Sequence, residues 1–256
     1  MTTDAERVAA ARRWFRAQGY TPFDRDGVTL VATPAFPDTW DANWACAGPD
    51  ASAETLLGVL DRHMRHTPWR VAHIDALTAP AVEAALALAE FRIENSLIEM
   101  IAREVVAPLP VPEIVLREVG AADWDSLTAL VEVDLREGKR TGEHDEGVAA
   151  GLLDGMRRRL GACSYWLLVK GGTPVGYGMT AVCPNGLGLI ENLFTLPAHR
   201  GRGLMSGFIV EAARRLRAAG CDAVFLDAHA QDTPKRLYAR LGFAPVALSR
   251  TWVKRV

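Results

Sequence analysis

Apolar and polar positions follow two periods along the second half of the chain. Alternation over 114–119, 164–170, 174–182 and 187–195 predicts strands, and Gly171-Gly172-Thr173 marks a hairpin between the second and third. Spacings of three and four over 121–137, 143–160 and 203–219 predict helices, the last carrying Arg214, Arg215 and Arg217. A short apolar run at 223–227, a helix over 233–241 stopped by Gly242, and two closing strands complete the chain. A meander followed by a strand–helix–strand crossover predicts an α/β (α+β) fold, with a mixed, mostly antiparallel sheet flanked by helices.

Ahead of this region, 107–112 reads Ala-Pro-Leu-Pro-Val-Pro, and prolines at alternate positions sustain neither a helix nor a central strand. The expected organisation is therefore an N-terminal lobe, 1–108, and a larger C-terminal domain, 113–256. The first lobe echoes the second. A strand at 71–75, a helix at 80–90 and two closing strands over 91–103 are predicted there, and an offset of 152 residues brings Asp75 onto Asp227, Phe91 onto Phe243 and Arg103 onto Arg255. Internal duplication accounts for the three landmarks, and chance register between similar units is the competing reading.

Composition narrows the function classes. The chain is 49% hydrophobic and 23% charged, with a formal net charge of -2, so no global basic field favours nucleic acid. Cys46, Cys163, Cys183 and Cys221 lie far apart without metal-ligand spacing, which signals no metal site, no disulfide framework and a reducing, cytoplasmic setting. Signal-peptide and membrane-span patterns are missing, so no membrane partner is expected.

The segment 193–208, LFTLPAHRGRGLMSGF, carries the candidate chemistry. A strand ends at Thr195, a turn passes through Pro197, and Arg200-Gly201-Arg202-Gly203 leads into a helix. Glycines there let a ligand approach the backbone, and unpaired first-turn amides make an anion site suited to a pyrophosphate. Arg200 and Arg202 add positive charge, although such a run also reads as a solvated basic turn. With Pro197, Arg200 and Gly203 in place, and Leu237-Tyr238-Ala239-Arg240-Leu241-Gly242-Phe243 at a matching distance, the region from Ile114 to the end resembles the GNAT superfamily of N-acyltransferases. Met205 departs from the family pattern, which usually has Gly or Ala there, and Gln231 stands where the family often has Asn.

This resemblance implies a GNAT fold, acetyl-CoA as co-substrate, and direct transfer of its acetyl group to a primary amine on a small-molecule or peptide acceptor, with no metal. It assigns cofactor contacts to Leu193, Phe194, Thr195, Arg200, Gly201, Arg202, Gly203, Leu204, Met205 and Gln231. Tyr238 is implied as the acid that protonates the departing thiolate, with a half-buried core tyrosine as the other reading. Glu191 is the candidate general base, or else a carboxylate that binds the acceptor's charge. Strict alternation would put Glu191, Leu193 and Thr195 on one strand face and Asn192 and Phe194 on the other.

The offset of 152 residues places Gly48, Ala51 and Leu86 opposite Arg200, Gly203 and Tyr238, so the first lobe reads as a decayed copy. His63 and His66 are expected on one exposed helical face, and His229 reads as a candidate base or as a surface or satisfied polar group. Asp134, Glu137, Glu143, His144, Asp145 and Glu146 form an acidic region that reads as a solvated loop or an acceptor-side rim. The rival function is a non-catalytic acyl-CoA sensor. No GxSxG elbow, phosphate-binding GxxxxGK[ST] loop or GxGxxG motif supports a hydrolase or a nucleotide enzyme. Either a monomer or a homodimer fits.

Overall fold

In the computed structural model, which describes residues 2–107, 114–137 and 146–256, eleven strands join in one sheet. The N-terminal lobe supplies α1 (Asp4–Ala17), β1 (Phe23–Arg25), β2 (Val28–Ala32), β3 (Asn43–Ala47), α2 (Ala53–His63), β4 (Trp69–Ile74), α3 (Pro80–Leu88) and β5 (Arg92–Ala102). The C-terminal part supplies β6 (Val115–Glu118), α4 (Trp124–Glu137), α5 (Glu146–Arg158), β7 (Ser164–Lys170), β8 (Thr173–Val182), β9 (Leu187–Thr195), α6 (Leu204–Ala218), β10 (Ala223–His229), α7 (Pro234–Arg240) and β11 (Ala244–Arg255). The strand order is β1-β2-β3-β4-β11-β5-β10-β9-β8-β7-β6. β11 therefore lies between two strands of the first lobe, and β5 joins the second. The prolines expected to mark the lobe boundary, and Glu143, His144 and Asp145, lie outside the described residues.

The closing strands correct the sequence reading. Two strands were expected over 91–103 and two after Gly242, but each region is a single strand, β5 and β11. Neither contains a turn. Each bends instead at a bulge, Glu94 in β5 and Val246 in β11, where the pairing register slips by one residue. These bulges are 152 residues apart, and the same offset relates the paired positions: Ala244 faces Ile101 and Val253 faces Arg92, while Ser249 faces Leu97 at the centre. The flanking pairings follow less closely, because Ile74 faces Arg250 whereas Leu226 faces Met100 rather than Ile98.

Helices cover both faces. α6 and α7 pack on one face of the C-terminal part through Phe208, Ile209, Leu216 and Tyr238. Gly178 and Gly188 let α6 sit close, since a Cβ there would stand 2.4 Å from Phe208 and 2.9 Å from Leu216. The other face is covered by α4 and by α1, whose Val8, Ala11 and Phe15 enter the core of the C-terminal part. Burying a phenylalanine such as Phe15 contributes roughly 1.5–3 kcal/mol, so α1 is firmly held across the lobes. Its start is fixed by a capping box between Thr3 and Glu6. Gly171 and Gly172, at φ 56° and 82°, form the hairpin turn between β7 and β8, and Thr173, expected in the turn, is the first residue of β8. Among the described residues no helix is long and apolar enough to cross a membrane.

Candidate active site

β9 and β10 run parallel and pair only from Leu187–Leu189 to Ala223–Phe225. Beyond that point β9 stays with β8 and β10 stays with β5, so a gap opens between the C-terminal ends of β9 and β10. A bulge sharpens the divergence. Asn192 adopts φ 55°, and the β8–β9 register slips between Met179–Glu191 and Tyr177–Phe194. This corrects the expected alternation: Leu189 and Phe194 join the core under α1 and α4, while Ile190 and Leu193 pack toward α6. Glu191 reaches toward α1, on the face that Phe194 shares, because the extra residue at Asn192 inverts the pleat.

The chain leaves β9 through a single 3-10 turn, Pro197–His199, and re-enters regular structure at α6. Gly201 and Gly203 take φ 72° and 75°, left-handed values that a residue with a side chain adopts only with strain. Gly203 is the N-cap of α6 and offers no side chain to its first-turn amides. Those N–H groups, with the positive end of the helix dipole, remain available to an anion. Leu204 is buried, Met205 half-buried, and Gly201, Arg202 and Gly203 are exposed at the helix mouth. Arg200 turns away from it: Nε donates to Thr195 O at 2.9 Å, the guanidinium pairs with Glu137, and it lies 5.7 Å over the Phe194 ring.

Tyr238 sits on α7 in the core of the α6 face, 6% exposed. Burial, then the charges of Asp227 and Asp232, push its phenol well above the usual tyrosine range, so it stays protonated at neutral pH. Glu191 and Tyr238 thus belong to opposite faces, on either side of the β9–β10 gap. Gln231 is exposed in the turn before α7, and His229 is half-buried at the end of β10. Within the acidic region, Asp134 accepts the Tyr177 hydroxyl at 2.6 Å and Glu137 holds Arg200. The histidine expectation fails: His66 lies beyond the end of α2 and its Nε2 is 2.7 Å from Asn43 Oδ1, while His63 is half-buried against Phe23. The short loop after α2 folds back and removes them from a common exposed face.

Sequence reasoning missed the group that organises the gap. Arg12 of α1, 2% exposed, pairs with Glu191 of β9, with Glu99 of β5 at 3.0 Å and with Asp227 of β10 at 2.6 Å. It also lies 5.3 Å over the Phe225 ring. Burial alone would favour the neutral guanidine, but the three carboxylates outweigh it and hold Arg12 charged. Burial raises the Asp227 carboxyl, with Arg12 opposing and Glu191 reinforcing the rise. The signal was present in the pattern: Val8, Ala11, Arg12 and Phe15 form one helical stripe, with a cation among apolar residues. Among the described residues, no group of side chains is suited to a metal ion.

Residues 124–243 match the acetyltransferase (GNAT) family. No curated protein matches the chain. Among solved structures, a GCN5-related N-acetyltransferase from Kribbella flavida is similar over 99% of this chain and 96% of its own, with TM-score 0.72 and 16% identity. A tandem GNAT protein from the clavulanic acid biosynthesis pathway covers 89% of this chain and 78% of its own, with TM-score 0.57 and 14% identity. A functionally unknown conserved protein from Staphylococcus epidermidis covers 92% and 94%, with TM-score 0.68 and 13% identity. At these identities the structures speak for the fold alone. Residues 124–243 are thus a GNAT acetyltransferase-family domain, and the chain as a whole has a fold similar to that of these structures, the tandem GNAT protein among them.

Proposed function

We propose that the protein transfers an acetyl group from acetyl-CoA to a primary amine of a small-molecule or peptide acceptor, by direct attack within a ternary complex. The observation that carries this reading is the uncapped N-terminus of α6, entered through left-handed Gly201 and Gly203, beside a gap where β9 leaves β10. Acetyl-CoA supplies an activated thioester and a pyrophosphate. The amides following Gly203 and the exposed Arg202 would hold the pyrophosphate, and the backbone of Leu193–Thr195 would bind the arm that enters the gap. Glu191 takes a proton from the acceptor ammonium, directly or through water, and the protonated Tyr238 phenol donates toward the departing sulfur. Excluding water from the gap strengthens both interactions.

Thiol release from acetyl-CoA, followed with the purified full chain and a panel of amines, tests this reading. Acceptor-stimulated release supports it. Heat of acetyl-CoA binding with no amine that stimulates release would favour a sensor instead.

A further inference from the structure

We propose that Arg12, carried by the first helix of the N-terminal lobe, is the positioning residue that orients Glu191 at the mouth of the β9–β10 gap. The inference rests on Glu191 as the acceptor-side carboxylate and adds what holds it there. Arg12 reaches three strands at once, and the exposure of its partners rises outward: 4% for the Glu99 side chain, 19% for Asp227 and 28% for Glu191. Glu99 is anchored on both oxygens, since Oε1 accepts the Ser249 hydroxyl at 2.9 Å and Oε2 accepts Arg12. Arg12 meets Glu191 at Oε2, so Oε1 is the oxygen that would meet an incoming amine.

One guanidinium facing three carboxylates has a definite consequence. Without it, three carboxylates would face one another in a poorly solvated site, and the outermost would lose the partner that fixes its position. Other groups bear on Glu191 as well: Arg159 after α5, Tyr165 of β7, and Cys163 and Cys183, with Arg16 and His229 acting on the neighbouring Asp227. The cation that pairs directly with the Glu191 carboxylate is Arg12.

A purely structural tie between lobes is the competing explanation, and the molecule contains its control. Arg13, the next residue on α1, grips Asp75 with two bonds of 2.7 Å and reaches Ala47 O at 2.9 Å. Asp75 lies 152 residues before Asp227, so Arg13 makes the corresponding contact in the lobe that lacks Gly203 and Tyr238.

The test follows the Glu191 carboxylate carbon by NMR on the full chain at pH 7, with Glu191→Gln assigning its signal. Arg12→Gln is expected to shift and broaden that signal as the side chain leaves its single position, and Arg12→Lys to do so less, because it keeps the cation and loses the guanidinium fork. Arg13→Lys should leave the signal in place while lowering the melting temperature. On whichever amine the panel shows to turn over fastest, Arg12→Gln should lower kcat more than it changes KM. An unchanged Glu191 signal in Arg12→Gln, with a stability loss like that of Arg13→Lys, overturns the proposal. If Arg12→Gln fails to fold, an unchanged signal and kcat in Arg12→Lys overturn it instead. Failure of the wild type to bind acetyl-CoA would defeat the acetyltransfer reading, while the Glu191 signal would still decide whether Arg12 positions Glu191.

Discussion

The two lobes repeat one plan and differ at the helix that follows their third-to-last strand. In the first lobe α2 begins at Ser52, whose hydroxyl accepts the Thr55 amide at 3.0 Å, so the helix closes its own N-terminus. In the second, α6 begins at left-handed Gly203 and is closed by no side chain. The neighbouring positions follow suit: Leu86 is buried in apolar core where the second lobe has Tyr238, and Arg13 fills the space beside Asp75 that Arg12 shares with Glu191 beside Asp227. A duplicated frame does not by itself make a binding site. What the second lobe adds is an uncapped helix end beside strands that part.

The largest expected effect comes from dividing the repeat. A chain of residues 113–256 leaves β11 without β4 and β5, and β10 without β5. It is expected to lose cooperative unfolding in a thermal melt, and a sharp transition from that fragment would show that the lobes are independent after all. Next come the two chemical groups with no equivalent in the first lobe. Glu191→Gln and Tyr238→Phe should each lower kcat with the true acceptor by about 10²- to 10⁴-fold. Wild-type kcat in both would remove their assigned roles.

Much of this was readable in advance, for local reasons. The turn after β9, the hairpin glycines and the offset between Asp75 and Asp227 rest on short-range backbone rules or on repetition, so they show in one dimension. β5 and β11 did not, because a bulge at Glu94 or Val246, beside Asn95 and Pro245, bends a strand without ending it. The facing of Glu191 was lost for the same reason, since Asn192 takes a left-handed conformation inside an apparently regular strand. The Arg12 cluster joins positions 12, 99, 191 and 227, and only tertiary structure brings such distant residues together.

Smaller effects sharpen the comparison. His73 stands where the second lobe has Phe225, is buried against Thr251, and is held well below the usual histidine range by burial first and then by nearby arginines. Its folded form resists protonation, so its contribution is complete above the unfolded value near 6.5 and is lost as pH falls below it. At pH 5 the loss should reach up to about 2 kcal/mol. Melting curves at pH 7.5 and 5 should show a smaller acid destabilisation in His73→Phe than in wild type, and an equal one would point to other groups. Ser52→Ala should cost about 1 kcal/mol of stability through the lost cap. It should leave acetyl-CoA affinity unchanged, which calorimetry can check.

The most direct measurement is a calorimetric titration of acetyl-CoA into the full chain and into Gly203→Val. A β-branched residue forced to the left-handed φ of Gly203 carries strain of order 1–3 kcal/mol, enough to rebuild the helix mouth. The wild type should bind with measurable heat, and the variant at least about tenfold more weakly, a difference of about 1.4 kcal/mol. No heat from the wild type, or equal affinity in the variant, would contradict the assignment of the α6 N-terminus as the site that holds the acyl carrier.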